Sequence, residues 1–157
     1  MSTKLTRTSP TAGFDLVDSH VLELTQATAS FRERMVLWLI SNLRDDGFEG
    51  LKANQLSFLG SLDCGANYAA ELARTLGISR QAVHKIVGEL ESIGWLATRP
   101  DPALGNQRVI VFTEEGERMM SHARAHFARL DQLLLQQFSE ENLAMVQAVL
   151  GFDPKMD

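Results

Sequence analysis

Apolar residues recur near both ends of the chain at the spacing of long amphipathic helices. In residues 15–44 they follow one another at steps of three and four, and Gly47 ends the pattern. A period near 3.5 residues is typical of a helix that packs along another long helix. Similar patterns follow Thr113 and Ser139, which can both cap a helix. We therefore expect these terminal helices to pack along seams that include Val21, Leu24, Phe127, Leu130 and Leu134.

The centre of the chain predicts short helices followed by a β-hairpin. Helical patterns cover Ala53–Leu62, Tyr68–Leu76 and Ser79–Ile93. Two strand-like segments follow, Trp95–Arg99 and Arg108–Phe112, joined by a turn-rich connector that contains Pro, Gly and Asn. The expected fold class is mainly α with a small β-hairpin.

The two helices on either side of Gly77 have the spacing of a helix-turn-helix. Ala73 is small where a second helix must cross closely, and Gly77 stands where the backbone needs a positive φ. Ser79 can cap the second helix. Branched residues then follow six and nine positions after Gly77, and the predicted buried stripe is Val83, Ile86 and Leu90.

The same spacing turns a polar face of the second helix outward. Arg and Lys side chains suit guanine edges or phosphates, and Gln suits adenine, so this face fits the major groove of DNA. The helix start also offers backbone N–H groups to a phosphate. An ordinary solvated helix surface is the alternative interpretation. The residues predicted to bind DNA on this helix are Ser79, Arg80, Gln81, His84 and Lys85.

The hairpin strengthens the DNA-binding interpretation, because a hairpin directly after such a helix forms a winged helix-turn-helix. Arg99 and Arg108 lie near its tip and can reach the minor groove or the backbone. The net charge of the whole chain is −5 and the predicted pI is about 5.4, which argues against a protein that coats nucleic acid. Residues 79–113 are slightly cationic, so we expect modest affinity per monomer.

The bulk properties indicate one globular domain over residues 1–157. Hydrophobic residues make up 45% of the chain, and the longest apolar run, residues 35–40, is too short to cross a membrane. No apolar stretch follows the first residues as in a secretory signal. A single cysteine cannot form an intrachain disulfide. A cytoplasmic protein without a membrane partner is expected.

The centre of the chain contains, in order, the segments LKANQLSFLGSL and ELARTLGISRQAVHKIVGELESIGWL, then the hairpin, and then FTEEG. In this order the segments resemble the MarR family of regulators over about residues 51–120. The resemblance implies a winged helix-turn-helix lobe, here residues 51–113, and N- and C-terminal dimerisation helices, here 14–46 and 114–150. It also implies a two-fold symmetric dimer and, frequently, control by a small aromatic ligand. The residues expected at the dimer interface are those on the seams of the terminal helices, Val21, Leu24, Phe127, Leu130 and Leu134. The family wing usually holds an Asp-x-Arg pair, but Leu104 and Asn106 stand there. We expect Arg108 to act as the wing cation instead.

Three further groups of residues have alternative interpretations. Cys64 is either an inert thiol or a redox sensor. His122 and His126 are spaced to share a metal, but no acidic or Cys partner stands at a suggestive spacing, so a seam-flanking or solvent-facing position is preferred and no metal is predicted. The aromatic residues that could line an effector pocket, or simply pack in the core, are Phe31, Trp38 and Phe58.

The sequence contains no recognisable catalytic arrangement and implies no cofactor. The glutamates fit helix surfaces and caps, Glu89 among them. The expected function is sequence-specific binding of double-stranded DNA by a homodimer on a pseudo-palindromic operator. We expect it to be a repressor released by a small aromatic ligand. The alternatives are a winged-helix protein-interaction adaptor and a redox sensor acting through Cys64.

Overall fold

A computed structural model describes residues 19–63, 65–102, 105 and 107–153. The chain divides into two units, Met1–Arg34 and Met35–Asp157. The described part of the first unit is the beginning of a long helix. The hydroxyl groups of Thr25 and Thr28 donate hydrogen bonds back to the carbonyl oxygens of Val21 and Leu24. Such back-bonding lets a polar side chain occupy a helix without an external partner.

The described elements are mostly helical, in agreement with the predicted fold class. They are α1 (His20–Asp45), α2 (Ala53–Leu59), α3 (Ala69–Leu76), α4 (Arg80–Ile93), β1 (Leu96–Pro100), β2 (Arg108–Phe112), α5 (Glu114–Gln137) and α6 (Glu140–Leu150).

Several predicted boundaries need correction, among them Ser79, which caps α4 from outside the helix, and the end of β1, which is Pro100 instead of Arg99. Helix α2 stops at Leu59 instead of Leu62, because the chain then tightens into turns in which Ser61 N donates to Phe58 O. Tyr68 is the N-cap of α3 and lies outside the helix. Trp95 N donates to Leu90 O and so finishes α4, which leaves Leu96 as the first residue of β1.

The core of the second unit lies where α2, α4 and the start of α5 meet the end of α1. Apolar burial of this kind is the main favourable term in folding. The most deeply buried apolar residues come from all of these helices and are Leu43, Leu59, Val83, Leu90 and Met119, each with 0% exposure.

Strands β1 and β2 form an antiparallel hairpin, with Leu96 opposite Phe112 at its base and Pro100 opposite Arg108 near its tip. Asn67, just before α3, adds a single antiparallel bridge to Ile110 on the free side of β2. The hairpin is thus held by the chain that leads into the helix-turn-helix. This arrangement is a winged helix-turn-helix.

The end of α4, the base of the hairpin and the start of α5 meet at Thr113. Its backbone N–H donates to Trp95 O, and its hydroxyl accepts a hydrogen bond from Gly116 N at 3.0 Å, which caps α5 as predicted. Gly116 is buried, and a Cβ there would overlap the Trp95 carbonyl. Glycine is therefore required for this close approach of two backbones.

Candidate nucleic-acid interface

A left-handed glycine forms the corner between α3 and α4. Gly77 has a φ of +64°, and the next N–H, that of Ile78, donates to Ala73 O at 3.0 Å. Residues other than glycine rarely adopt this conformation. Ser79 then caps α4, because its Oγ accepts a hydrogen bond from Ala82 N at 3.1 Å. The turn and the cap predicted from the sequence are both confirmed.

The buried side of α4 differs from the prediction at one position. Val83 and Leu90 are fully buried, as expected, but Val87 is the buried residue between them and Ile86 is only half-buried. Steps of four then three and steps of three then four follow one helix face equally well, so the packing around α4 decides which of Ile86 and Val87 is fully buried. Leu72 and Ala73 of α3 are buried, as predicted.

The polar side of α4 is open to solvent at the end nearest the turn. All the residues predicted there are exposed, namely Ser79, Arg80, Gln81, His84 and Lys85. No acidic residue stands in the first turn of α4. The positive end of the helix dipole therefore lies beside exposed cationic side chains. This combination suits an anionic backbone with base edges beside it.

The two predicted wing cations are both exposed near the hairpin tip. Arg99 lies opposite Val109 in the register, and Arg108 lies opposite Pro100. Arg108 Nη2 donates to Thr98 O at 3.1 Å, which directs its guanidinium along the hairpin. Leu104 and Asn106, where the sequence departs from the family pattern, lie outside the described residues.

A polar contact that the sequence analysis missed ties α4 to α2. Glu89 Oε2 accepts hydrogen bonds from Gln55 Nε2 at 2.8 Å and from Lys52 Nζ at 3.1 Å. The bond from Lys52, followed by that from Gln55, holds the pKa of Glu89 below its ordinary value. Glu89 is partly exposed on the surface of α4, as expected, but its carboxylate also joins α4 to α2.

A second missed contact ties the wing to the start of α3. The Tyr68 hydroxyl donates a hydrogen bond to Asp101 Oδ2, 33 positions along the chain. Asp101 is buried, with 7% exposure, and its backbone N–H donates to Gln107 O at 2.9 Å. The hydrogen bond to Asp101, helped by burial, raises the pKa of Tyr68 above its ordinary value.

The two histidines of α5 share a carboxylate acceptor just beyond the end of α1. His122 Nδ1 lies 2.8 Å and His126 Nε2 lies 2.7 Å from Asp46 Oδ2. His126 is buried and contacts Trp38 edge to face. An acidic partner is thus present at Asp46, and the expectation of a solvent-facing His126 is wrong, whereas a position flanking the dimer seam stays a prediction. Within the described ranges, no grouping of three His, Cys, Asp or Glu side chains could hold a metal ion.

The candidate effector residues lie in different environments. Phe58 is 2% exposed in the core of the second unit, and Trp38 is half-buried beside Phe127. Phe31 belongs to the first unit and is exposed. Their proposed role in ligand binding stays a prediction. Cys64 lies outside the described residues.

The predicted interface residues lie on surfaces that retain considerable apolar exposure. Val21 is 73% exposed and Leu24 is 44% exposed in the first unit. In the second unit Phe127 is 44% exposed, whereas Leu130 and Leu134 are half-buried. Helix α6, all of whose residues are described, has no buried residue. Of the described helices, none has the length and apolar character that a membrane span requires.

Comparison with known proteins agrees with this geometry. Residues 49–103 match the sequence model of the MarR family. A search of curated proteins by sequence found no significant match.

Among solved structures, the chain is similar to a MarR-like transcriptional regulator from Thermotoga maritima, with 24% identity, a TM-score of 0.64, and coverage of 88% of this chain and 93% of that one. It is also similar to a MarR family protein from Bacillus stearothermophilus, with 19% identity, a TM-score of 0.66, and coverage of 83% and 87%.

A third similar structure is the PcaV transcriptional regulator from Streptomyces coelicolor in complex with its natural ligand, with 19% identity, a TM-score of 0.62, and coverage of 89% and 94%. Identities this low show the shared fold alone. The match to the family model covers the helix-turn-helix, formed by α3 and α4, and the first wing strand, β1. Residues 49–103 therefore match the MarR family, and the described fold is the one seen in solved structures of MarR-family regulators.

Proposed function

We propose that the protein is a transcriptional regulator that binds double-stranded DNA as a homodimer, with one α4 in the major groove of each half-site. The observation that carries the proposal is the two-sided character of α4. One side is fully buried at Val83 and Leu90, and the other exposes Arg80, His84 and Lys85 directly after the turn at Gly77. A helix held in this way can enter a groove without losing its contacts to the core.

The wing supports a second point of contact. Arg99 and Arg108 are exposed at the same end of the hairpin, where cations can reach the minor groove or the phosphates. Each phosphate that such a side chain neutralises releases counterions, so binding should weaken as salt rises.

Dimerisation is supported by the apolar residues that the second unit leaves open on α6. Exposed apolar surface of this kind commonly marks a protein interface. A two-fold dimer would place two recognition helices about one helical turn of DNA apart, on a pseudo-palindromic site. Repression by blocking promoter access follows most simply from this arrangement. The PcaV structure contains its natural ligand, which supports control of this protein by a ligand. The small aromatic effector implied by the family resemblance would act by shifting the population of DNA-competent dimers.

In the first step of the test, the purified protein is used to select fragments of genomic DNA that bind it. A selected fragment then competes for the protein against a scrambled duplex of equal composition, and the preference between the two is measured. Arg80→Ala should reduce the preference for the selected fragment about tenfold or more, as expected for loss of a base contact. Arg44→Ala removes one exposed cation from the last turn of α1 and is the matched control.

Unchanged preference in Arg80→Ala would overturn the assignment of the recognition helix. A wild-type protein that retains no DNA at low salt would overturn the proposed function as a whole, and would favour a protein-interaction adaptor.

A further inference from the structure

The chain that leads into α3 is attached to both strands of the wing. Asn67 O accepts a hydrogen bond from Ile110 N of β2 at 2.8 Å. The Asn67 side chain is buried, and its Oδ1 accepts a hydrogen bond from Asp63 N at 2.8 Å. The next residue, Tyr68, donates its hydroxyl to Asp101 beyond the end of β1. Two adjacent residues thus hold the two strands, one through the backbone and one through a side chain.

Asp101 continues the hairpin register one position beyond β1. It directly follows Pro100, which lies opposite Arg108, and its N–H adds one more bond, to Gln107 O. Arg99 is two residues before it. A constraint on Asp101 therefore acts on the backbone that carries both wing cations.

Ordinary capping or packing does not explain the Tyr68 hydroxyl. Tyr68 is the N-cap residue of α3, yet its side chain makes no capping hydrogen bond. A buried carboxylate such as that of Asp101 requires hydrogen-bond donors, and a hydroxyl–carboxylate bond is stronger than one between neutral groups. The pair joins the first helix of the helix-turn-helix to the wing across 33 positions of sequence.

We propose that Tyr68 and Asp101 are positioning residues for DNA binding: their hydrogen bond holds the wing where Arg99 and Arg108 meet the sugar–phosphate backbone of the duplex. This inference rests on the proposed function. Tyr68 and Asp101 themselves need not touch DNA.

The test is a thermodynamic cycle with Tyr68→Phe, which removes the hydroxyl and keeps the ring. Affinity for the selected duplex is measured over a series of salt concentrations in two backgrounds, the wild-type wing and the Arg99→Ala/Arg108→Ala double variant. With the wild-type wing, Tyr68→Phe should weaken binding about three- to tenfold and reduce the salt slope by about 1 to 2, the value for losing one or two phosphate contacts. In the double variant, Tyr68→Phe should change neither quantity.

Two further variants separate positioning from general stability. Asp101→Asn keeps an acceptor oxygen for the Tyr68 hydroxyl and should retain more affinity than Asp101→Ala. Ser61→Ala is the control, because it removes another hydroxyl, one that donates to Phe58 O at 2.6 Å, away from the wing. It should leave the salt slope unchanged.

Equal losses from Tyr68→Phe in both backgrounds, or no loss in either, would overturn the proposal. Hydrogen exchange on the free protein gives a readout that does not depend on DNA. Tyr68→Phe should speed exchange at wing amides such as Asp101 and leave those of α4 unchanged. If wild-type protein binds no DNA, the proposed function fails, and faster wing exchange would still establish the anchor. Unchanged wing exchange would refute the anchor itself.

Discussion

Gln55 uses both ends of its buried side-chain amide, and one of them holds Glu89 of α4. Gln55 Nε2 donates to Glu89 Oε2 at 2.8 Å, and Gln55 Oε1 accepts from Lys52 N at 3.0 Å. Gln55 is 1% exposed, so neither end can turn to water if its partner is removed. The Gln55 side chain thus caps the start of α2 at Lys52 and also holds α4 at Glu89, one helical turn after Lys85.

Replacing Gln55 by Leu should therefore destabilise the protein. The Lys52 N–H loses its acceptor, and the expected loss is about 1–3 kcal/mol in the free energy of unfolding, measured by chemical denaturation. Gln55→Glu is the matched isosteric variant. Gln55→Glu places a second carboxylate beside that of Glu89, and the two repel each other. Its free energy of unfolding should therefore recover as the pH falls and a carboxylate is protonated, whereas that of Gln55→Leu should not. Two variants with identical pH dependence would contradict this account.

The turn at Gly77 gives a second prediction, on backbone conformation alone. A Cβ at Gly77 meets nothing within 4 Å, so Gly77→Ala tests only the cost of the positive φ. We expect it to destabilise the protein by about 1 kcal/mol. Gly88→Ala, inside α4 and equally open, should instead stabilise it by about 0.5–1 kcal/mol because alanine favours a helix. Thermal unfolding of both variants measures the contrast. Shifts of the same sign would argue against it.

Asp46 should contribute stability that is lost in acid. Hydrogen bonds from His122 and then His126 hold the pKa of Asp46 below its ordinary value of 3.8. A depressed folded-state pKa means that the contribution is fully present above the unfolded-state pKa and disappears as the pH falls through the folded-state value. Carboxyl-carbon NMR should locate the Asp46 midpoint below 3.8.

His122→Ala removes the largest cause of the Asp46 shift and should raise that midpoint, while the contact with His126 keeps it partly lowered. Denaturation of Asp46→Asn over the same pH range should show a shallower loss of stability in acid than the wild type does. An Asp46 midpoint that His122→Ala leaves in place would count against the shared-carboxylate geometry.

Tyr68 can be followed in alkali, because it is the only tyrosine of the chain. Its pKa is raised above the ordinary value of 10.0, chiefly by the hydrogen bond to Asp101. The stabilising effect is therefore present below pH 10 and is lost as the pH rises through the folded-state pKa. Tyrosinate absorbance should show a lower midpoint in Asp101→Asn than in the wild type. Coincident titration curves would show that Asp101 does not influence the phenol.

The exposed apolar side of α6 predicts how the protein assembles. Val146 is 55% exposed on a helix with no buried residue. Val146→Asp should shift the protein towards monomers at micromolar concentration, because dimer formation would bury an unpaired charge. Gln147→Asp adds the same charge at a neighbouring exposed position and should matter less. Sedimentation equilibrium distinguishes the two, and a wild-type monomer would refute the dimer.

Local signals in the sequence predicted the elements well, and long-range polar contacts escaped them. Gly77, Ser79 and Thr113 act through hydrogen bonds within a few residues, so their roles follow from residue type and spacing. The contact between Asp46 and His126 spans 80 positions, and nothing in either neighbourhood indicates the other.

The burial of Val87 instead of Ile86 shows a second limit of sequence analysis. Both residues are branched and apolar, and both lie near the inward face of α4. Which of them is fully buried depends on how α4 packs against its neighbours, and that is decided by the tertiary structure.

Glycine at position 116 has a mechanical consequence. Because the backbones of Trp95 and Gly116 are in direct contact, no flexible side chain lies between the end of α4 and the start of α5 to absorb a displacement. A small molecule that tilted α5 would carry the base of the hairpin and the end of α4 with it. In the proposed dimer, the two recognition helices would then no longer match the spacing of the half-sites, although the ligand would touch none of the residues proposed to bind DNA.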